Sequence, residues 1–149
     1  MELAPVVVAL PLLIGALLAD EGSHIPRRVP TLVAIATSAL VAIGCAWLAW
    51  PTHAHVAWMG GWGVRDGIAV GISLAVDPMG AGFGALSATL MTCALFFSLG
   101  HIEEVHALFD ALMLFFLAAL VAFGLTGDLF DLFVFFELMS AAAYALCAY

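Results

Sequence analysis

Lysine is missing from this sequence, and its 3 basic residues are Arg27, Arg28 and Arg65, set against 11 acidic ones. The formal net charge of -8 excludes a basic footprint for nucleic acid or for anionic lipid headgroups. Charge of either sign is scarce: 9% of residues are charged and 66% are hydrophobic, where a soluble domain carries about 25% charged residues. A soluble fold of 149 residues could not hide so much apolar surface, so the solvent is lipid. Cysteine is sparse too. Cys45, Cys93 and Cys147 sit far apart inside apolar runs with no paired spacing, so they read as small packing residues and neither a disulfide nor a metal site is expected. The first apolar run lacks a basic leader, having only Met1 and Glu2 before it, and no small-residue cleavage site precedes Asp20. It reads as a retained helix rather than a signal peptide. No internal repeat divides the chain.

What is present is a series of apolar runs. A membrane span needs about 20 predominantly apolar residues, and five segments qualify, at about 3–19, 30–50, 77–99, 107–125 and 128–149. The predicted fold class is therefore an all-α integral membrane protein, a single membrane domain over residues 1–149. The first run is interrupted by Pro5 and Pro11, and Pro30 suits the first turn of the second. Trp47 and Trp50 suit an interface belt, and Pro51 stops the helix. Between the second and third runs, Gly60, Gly61, Gly63, Gly67 and Gly71 accompany Trp58 and Trp62. After Asp66-Gly67, the residues Ile68, Val70, Ile72, Leu74 and Val76 alternate with small ones, which predicts a short β-hairpin. A hairpin cannot lie open in hydrocarbon, so it belongs at the surface or against protein. In the third run Gly80, Gly84 and Ala88 recur every four residues, a spacing that admits close helix approach. Arg27 and Arg28 bias the first loop to the cytoplasm, putting the N-terminus, the hairpin and the Thr126-Gly127 turn on the outer side. The chain stops at the end of an apolar helix without a polar flank, which reads as the N-terminal portion of a longer protein or a split subunit.

Glu137 is the sharpest chemical signal. It interrupts an otherwise apolar run, 132–143, nine residues past Asp128. That is roughly 13 Å into the helix, near the middle of a hydrocarbon core about 30 Å thick. A charge at that depth costs about 2.5–3.5 kcal/mol on insertion scales. A carboxyl balanced between desolvation and a nearby cation can take and release protons. The plainer reading is a neutral acid that hydrogen-bonds between helices. Ser140 and Tyr144, three and seven residues on, bring hydroxyls to the same side, with Phe130 and Val134 behind them. Helix–helix glue is the competing role for that face. Asp128 suits an N-cap, Asp131 one turn deeper suits a proton-entry group, and Asp77 before Pro78 suits a cap. Glu103, Glu104, His106 and Asp110 read as a solvated acidic loop; Glu103-x-x-His106 has half the spacing of a di-metal site, but no second half. His53-x-His55 reads as solvated, and the glycine-rich stretch lacks the Lys-Ser/Thr of a phosphate loop.

The stretch 125–144, LTGDLFDLFVFFELMSAAAY, resembles the antiporter-like subunits of respiratory complex I and of Mrp-type cation/proton antiporters, most closely the Mrp D-type and the related hydrogenase-4-like membrane subunits. Gly60-Gly61-Trp62 followed by Asp77 matches the family's outer hairpin and third helix. The resemblance implies a protein of about fourteen helices of which this chain holds the first five. It implies that the glutamate matching Glu137 modulates a buried lysine on a later helix, whose protonation drives proton movement along a central hydrophilic axis. Asp131 departs from the pattern, standing where the family has asparagine, and the lysine-bearing helices are not in this chain.

The expected function is thus the N-terminal part of a proton-translocating antiporter-like subunit, with Glu137, Ser140, Tyr144 and Asp131 on the proton path and no catalytic site, cofactor or metal. If it serves an enzyme, it is a non-redox membrane subunit of an NADH-quinone oxidoreductase-like translocase. Expected partners are other membrane subunits, protons, Na+ as a second candidate ion and the lipid bilayer of the cell membrane, but no nucleic acid. A structural or assembly subunit, or a small transporter working as a homo-oligomer, are the alternatives.

Overall fold

The computed structural model describes residues 3–21, 26, 28–50, 53–59, 63, 71–101 and 107–148. Five helices run α1 Leu3–Glu21, α2 Arg28–Ala49, α3 Pro78–His101, α4 Ala107–Leu125 and α5 Leu129–Cys147, with strands β1 His55–Trp58 and β2 Ser73–Val76 between α2 and α3. All five are long and apolar enough to cross a membrane. The ends shift by one or two residues from the sequence expectation, and α1 is not broken at either proline. Pro5 lies in its first turn, and Pro11 is accommodated inside a continuous helix, because neighbouring helices shield the freed carbonyl in a membrane protein.

The bundle is built around α4. It packs on α1, α3, α5 and, less extensively, α2, while α2 lies along α3. Its buried residues, including Ala111, Leu114, Leu117, Ala118, Val121, Ala122 and Leu125, fall on most of its circumference, as expected of a helix that is apolar all round and central. The stripe Ala4, Val7, Val8, Pro11, Gly15 and Leu18 is the buried side of α1, spaced by three and four residues. Small residues set the closest approaches. A Cβ at Gly80 would run into the Gly124 carbonyl of α4, and one at Gly84 would sit 3.1 Å from Cys45 Sγ of α2. The repeat of small residues in α3 thus faces both neighbouring helices. Cys45 packs there as a small buried residue, whereas Cys93 and Cys147 are exposed on the bundle's outside.

The hairpin differs from its expected form. The strands are four residues each and antiparallel, pairing His55 with Val76 and Trp58 with Ser73, so the partner of the alternating segment begins before the glycines. Ser73 and Leu74 are both buried, against a strict alternation, because β2 touches protein along two sides: β1 on one and the α4–α5 turn on the other. Leu74 bridges Thr126, and Gly127 N–H donates to the Ser73 carbonyl at 2.8 Å. The pair is therefore tied down at the end of the bundle that carries the α4–α5 turn, with few backbone groups left for lipid. The expected Asp66-Gly67 turn, Gly60-Gly61-Trp62, Ile68, Val70, Arg27, Arg65, Glu103, Glu104 and His106 lie outside the described residues. Trp47 and Trp50 are exposed at the far end of α2, and His53 and His55 are exposed as well.

Candidate functional site on helix α5

Helix α5 starts on a firm cap. Asp128 has extended backbone angles, and its Oδ1 accepts the Asp131 N–H at 2.9 Å, satisfying one of the orphan donors of the first turn. This bond, followed by a contribution from the Asp131 side chain, holds the Asp128 carboxyl below the usual carboxylate range. Asp77 caps α3 through the same geometry, accepting the Gly80 N–H at 2.7 Å.

From that cap the helix divides into two unlike faces. Asp131 and Ala142 are buried, and Phe135 between them packs partly against the core. This is the side laid against α4. The other side is open. Glu137 is exposed, with Phe130 at 75%, Val134 at 43% and Tyr144 at 78% exposure around it. At 3.6 residues per turn, Tyr144 lies about 20° from Glu137 around the axis and Asp131 about 120° away. Ser140 is half-buried at the border, and its hydroxyl donates to the Phe136 carbonyl at 2.9 Å. Among the residues singled out in the sequence, the structure brings Glu137 and Tyr144 together on an open face, puts Ser140 beside them and turns Asp131 inward. Within this chain Glu137 is not covered by the other four helices. Its carboxyl is presented sideways, from the middle of a membrane span, among exposed phenylalanines.

Asp131 is the inward carboxylate. It is 5% exposed, and its Oδ2 has no hydrogen-bond partner among the described residues. Its polar neighbour is Asp128, one turn back, whose Oδ1 accepts the Asp131 N–H.

No family model matches the chain. It is 40% identical over 83 residues to NADH-quinone oxidoreductase subunit N of Desulforudis audaxviator (strain MP104C), a stretch covering 53% of this chain and 17% of that protein. It is 47% identical over 62 residues to the D component of a probable K(+)/H(+) antiporter of Rhizobium meliloti (strain 1021), covering 42% of this chain and 10% of that one. Its fold superposes on a chain of the membrane-bound sulfane sulfur reductase, an archaeal respiratory membrane complex, with a TM-score of 0.79 and 25% identity over 98% of this chain and 30% of the other. In sequence and fold the chain is similar to antiporter-type membrane subunits of such complexes. It spans less than a third of the length of each of these three proteins.

The sequence pattern missed one carboxylate of this chain. Asp110, read as part of a solvated acidic loop, is 1% exposed. Thr31 Oγ1 of α2 donates to its Oδ2 at 2.8 Å. Nothing near Asp110 in sequence announces that bond, since Thr31 is 79 residues away. The signal that was available is its position inside the apolar run: the fourth span begins at Ala107, so Asp110 belongs to the helix and not to the loop.

Proposed function

We propose that this chain forms part of a proton-translocating antiporter-like subunit of a multi-subunit membrane complex, in which Glu137 exchanges protons with groups on helices that cover the open face of α5. The observation that carries the reading is the placement of one carboxyl at mid-span on a membrane helix face that the rest of the bundle leaves uncovered. Such a charge is costly in lipid and is paired or lined by water wherever it persists. The similarity to subunit N of a quinone oxidoreductase and to the D component of a probable antiporter supports the assignment. The resemblance supplies the partner class, a lysine on a later helix. Tyr144 on the same face, and Ser140 at its edge, offer hydroxyls that orient the carboxyl or hold water between it and the partner. Asp131, buried near the capped end, serves as the group through which protons enter from the hairpin side.

The deciding experiment is proton pumping by membrane vesicles, normalised to assembled complex on a native gel. Glu137→Gln keeps the shape and most hydrogen bonding but removes titration. It should abolish or strongly reduce pumping with assembly intact, while Glu137→Asp retains part of the activity. If Glu137 only joins helices, the ranking reverses: a neutral amide replaces a neutral acid, and the shorter Asp misses its partner. Wild-type pumping with Gln would end the proposal.

A further inference from the structure

The Asp110 carboxyl is used neither by the open face of α5 nor by any helix cap. It lies three residues inside α4, about one helical turn from the helix start, at the end of the bundle opposite the hairpin. Three described elements close around it. α1 and α4 approach so closely that a Cβ at Gly15 would sit 3.2 Å from the Ala111 carbonyl. Thr31 brings the first turn of α2 against it, behind the fully buried Pro30. The result is a carboxyl at 1% exposure in largely apolar surroundings.

Its hydrogen bonding is incomplete. Thr31 Oγ1 donates to Oδ2 at 2.8 Å, but Oδ1 has no partner among the described residues. An ionised carboxylate only accepts, and its two oxygens offer about four lone-pair sites. Among the described residues one hydroxyl is all that meets them, which leaves Oδ1 open to a hydrogen. Among the described residues, the charged groups brought to this end with known exposure are Arg28, one turn before Thr31 on α2, and Asp20 near the end of α1, both exposed. α1 ends at Glu21 and α3 ends at His101 on the same side. α4 contributes no other charged residue. A metal cation would need several converging oxygens, whereas among the described residues one carboxyl and one hydroxyl meet here.

We propose that Asp110 and Thr31 form a second proton-holding site, at the Arg28 end of the bundle and separate from the α5 face. The bound ligand is a proton on the Asp110 carboxyl. On release the O–H bond of the acid breaks, its electron pair stays on the carboxylate, and the proton passes to water at the helix ends. Thr31 keeps its own hydrogen throughout and donates to the carboxyl in both states. The site does not rest on the role of Glu137.

The test is infrared difference spectroscopy of the protein in lipid, between alkaline and acid pH, in H2O and in D2O. Acidification should raise a carbonyl-stretch band of a buried carboxylic acid that moves to lower frequency in D2O. Asp110→Asn should remove that band. Thr31→Val, which withdraws the donor to Oδ2, should move it to higher frequency. Glu137→Gln should leave it in place, which separates this site from the α5 reading. A band unchanged in Asp110→Asn would overturn the proposal, as would a band erased by Na+ or K+ at fixed pH, the mark of a metal-cation site. Should Asp110→Asn fail to fold, the Thr31→Val band decides, and an unshifted band refutes the pairing.

Discussion

Gly80→Ala is expected to loosen the contact between α3 and α4, and the structure sets its size. The added methyl would overlap the Gly124 carbonyl, a backbone atom that cannot swing away as a side chain would. It would also stand 2.8 Å from Asp77 Oδ1, the atom that accepts the Gly80 N–H at 2.7 Å and caps α3. Overpacking a well-filled contact costs typically about 1–3 kcal/mol, and a lost cap adds about 1 kcal/mol. The better helix propensity of alanine returns up to about 1 kcal/mol. The net is about 2 kcal/mol, or roughly a thirtyfold fall in the folded-to-unfolded ratio. Gly82→Ala is the internal control, because nothing lies within 4 Å of its Cβ position. That variant gains propensity without a clash and should match or slightly exceed the parent. Unfolding of the purified protein in mixed micelles by increasing SDS fraction, followed by circular dichroism, measures both. Equal midpoints for the two variants would refute the close approach of α3 to α4.

Loss of the cap on α5 in Asp128→Ala should cost about 1 kcal/mol in the same assay. Because the bond from Asp131 N–H lowers the folded value of Asp128, its stabilisation should be complete above the ordinary aspartate range near about 3.9 and fade as pH falls through the lower folded value; Asp128→Asn should retain the cap and lose that part of the acid dependence. The arginine bias predicts that, in a background lacking Cys45, Cys93 and Cys147, an impermeant thiol reagent labels Gly63→Cys but not His24→Cys on intact cells. Labelling at position 24 and not at 63 would reverse the orientation.

The membrane class and the number of helices were legible because both depend on composition along the chain: a run of some twenty apolar residues is a span wherever its neighbours lie. The caps at Asp77 and Asp128 were legible for a similar reason, since the donor and acceptor are three residues apart. The small residues of α3 announced a close approach, though not that its partners would be Gly124 and Cys45.

What the sequence could not resolve is which way each polar group faces. In a soluble helix, polar residues mark the outside, but in a membrane bundle the lipid side and the packed side are both apolar, and that signal vanishes. So Asp131 and Glu137, six residues apart in one apolar run, could not be assigned to faces until α4 was seen against one side of α5. β2 likewise could not be read as buried on both faces until the α4–α5 turn, some fifty residues on, was found bonded to it. Asp110 shows the limit most plainly. Its neighbours in sequence read as a loop, and its burial comes from Gly15 and Thr31 on two other helices. Local pattern therefore determined which segments cross the membrane and where they begin. Only the packing of α1, α2 and α5 around α4 decided which carboxyls are enclosed and which is left exposed, because enclosure is set by residues distant in sequence.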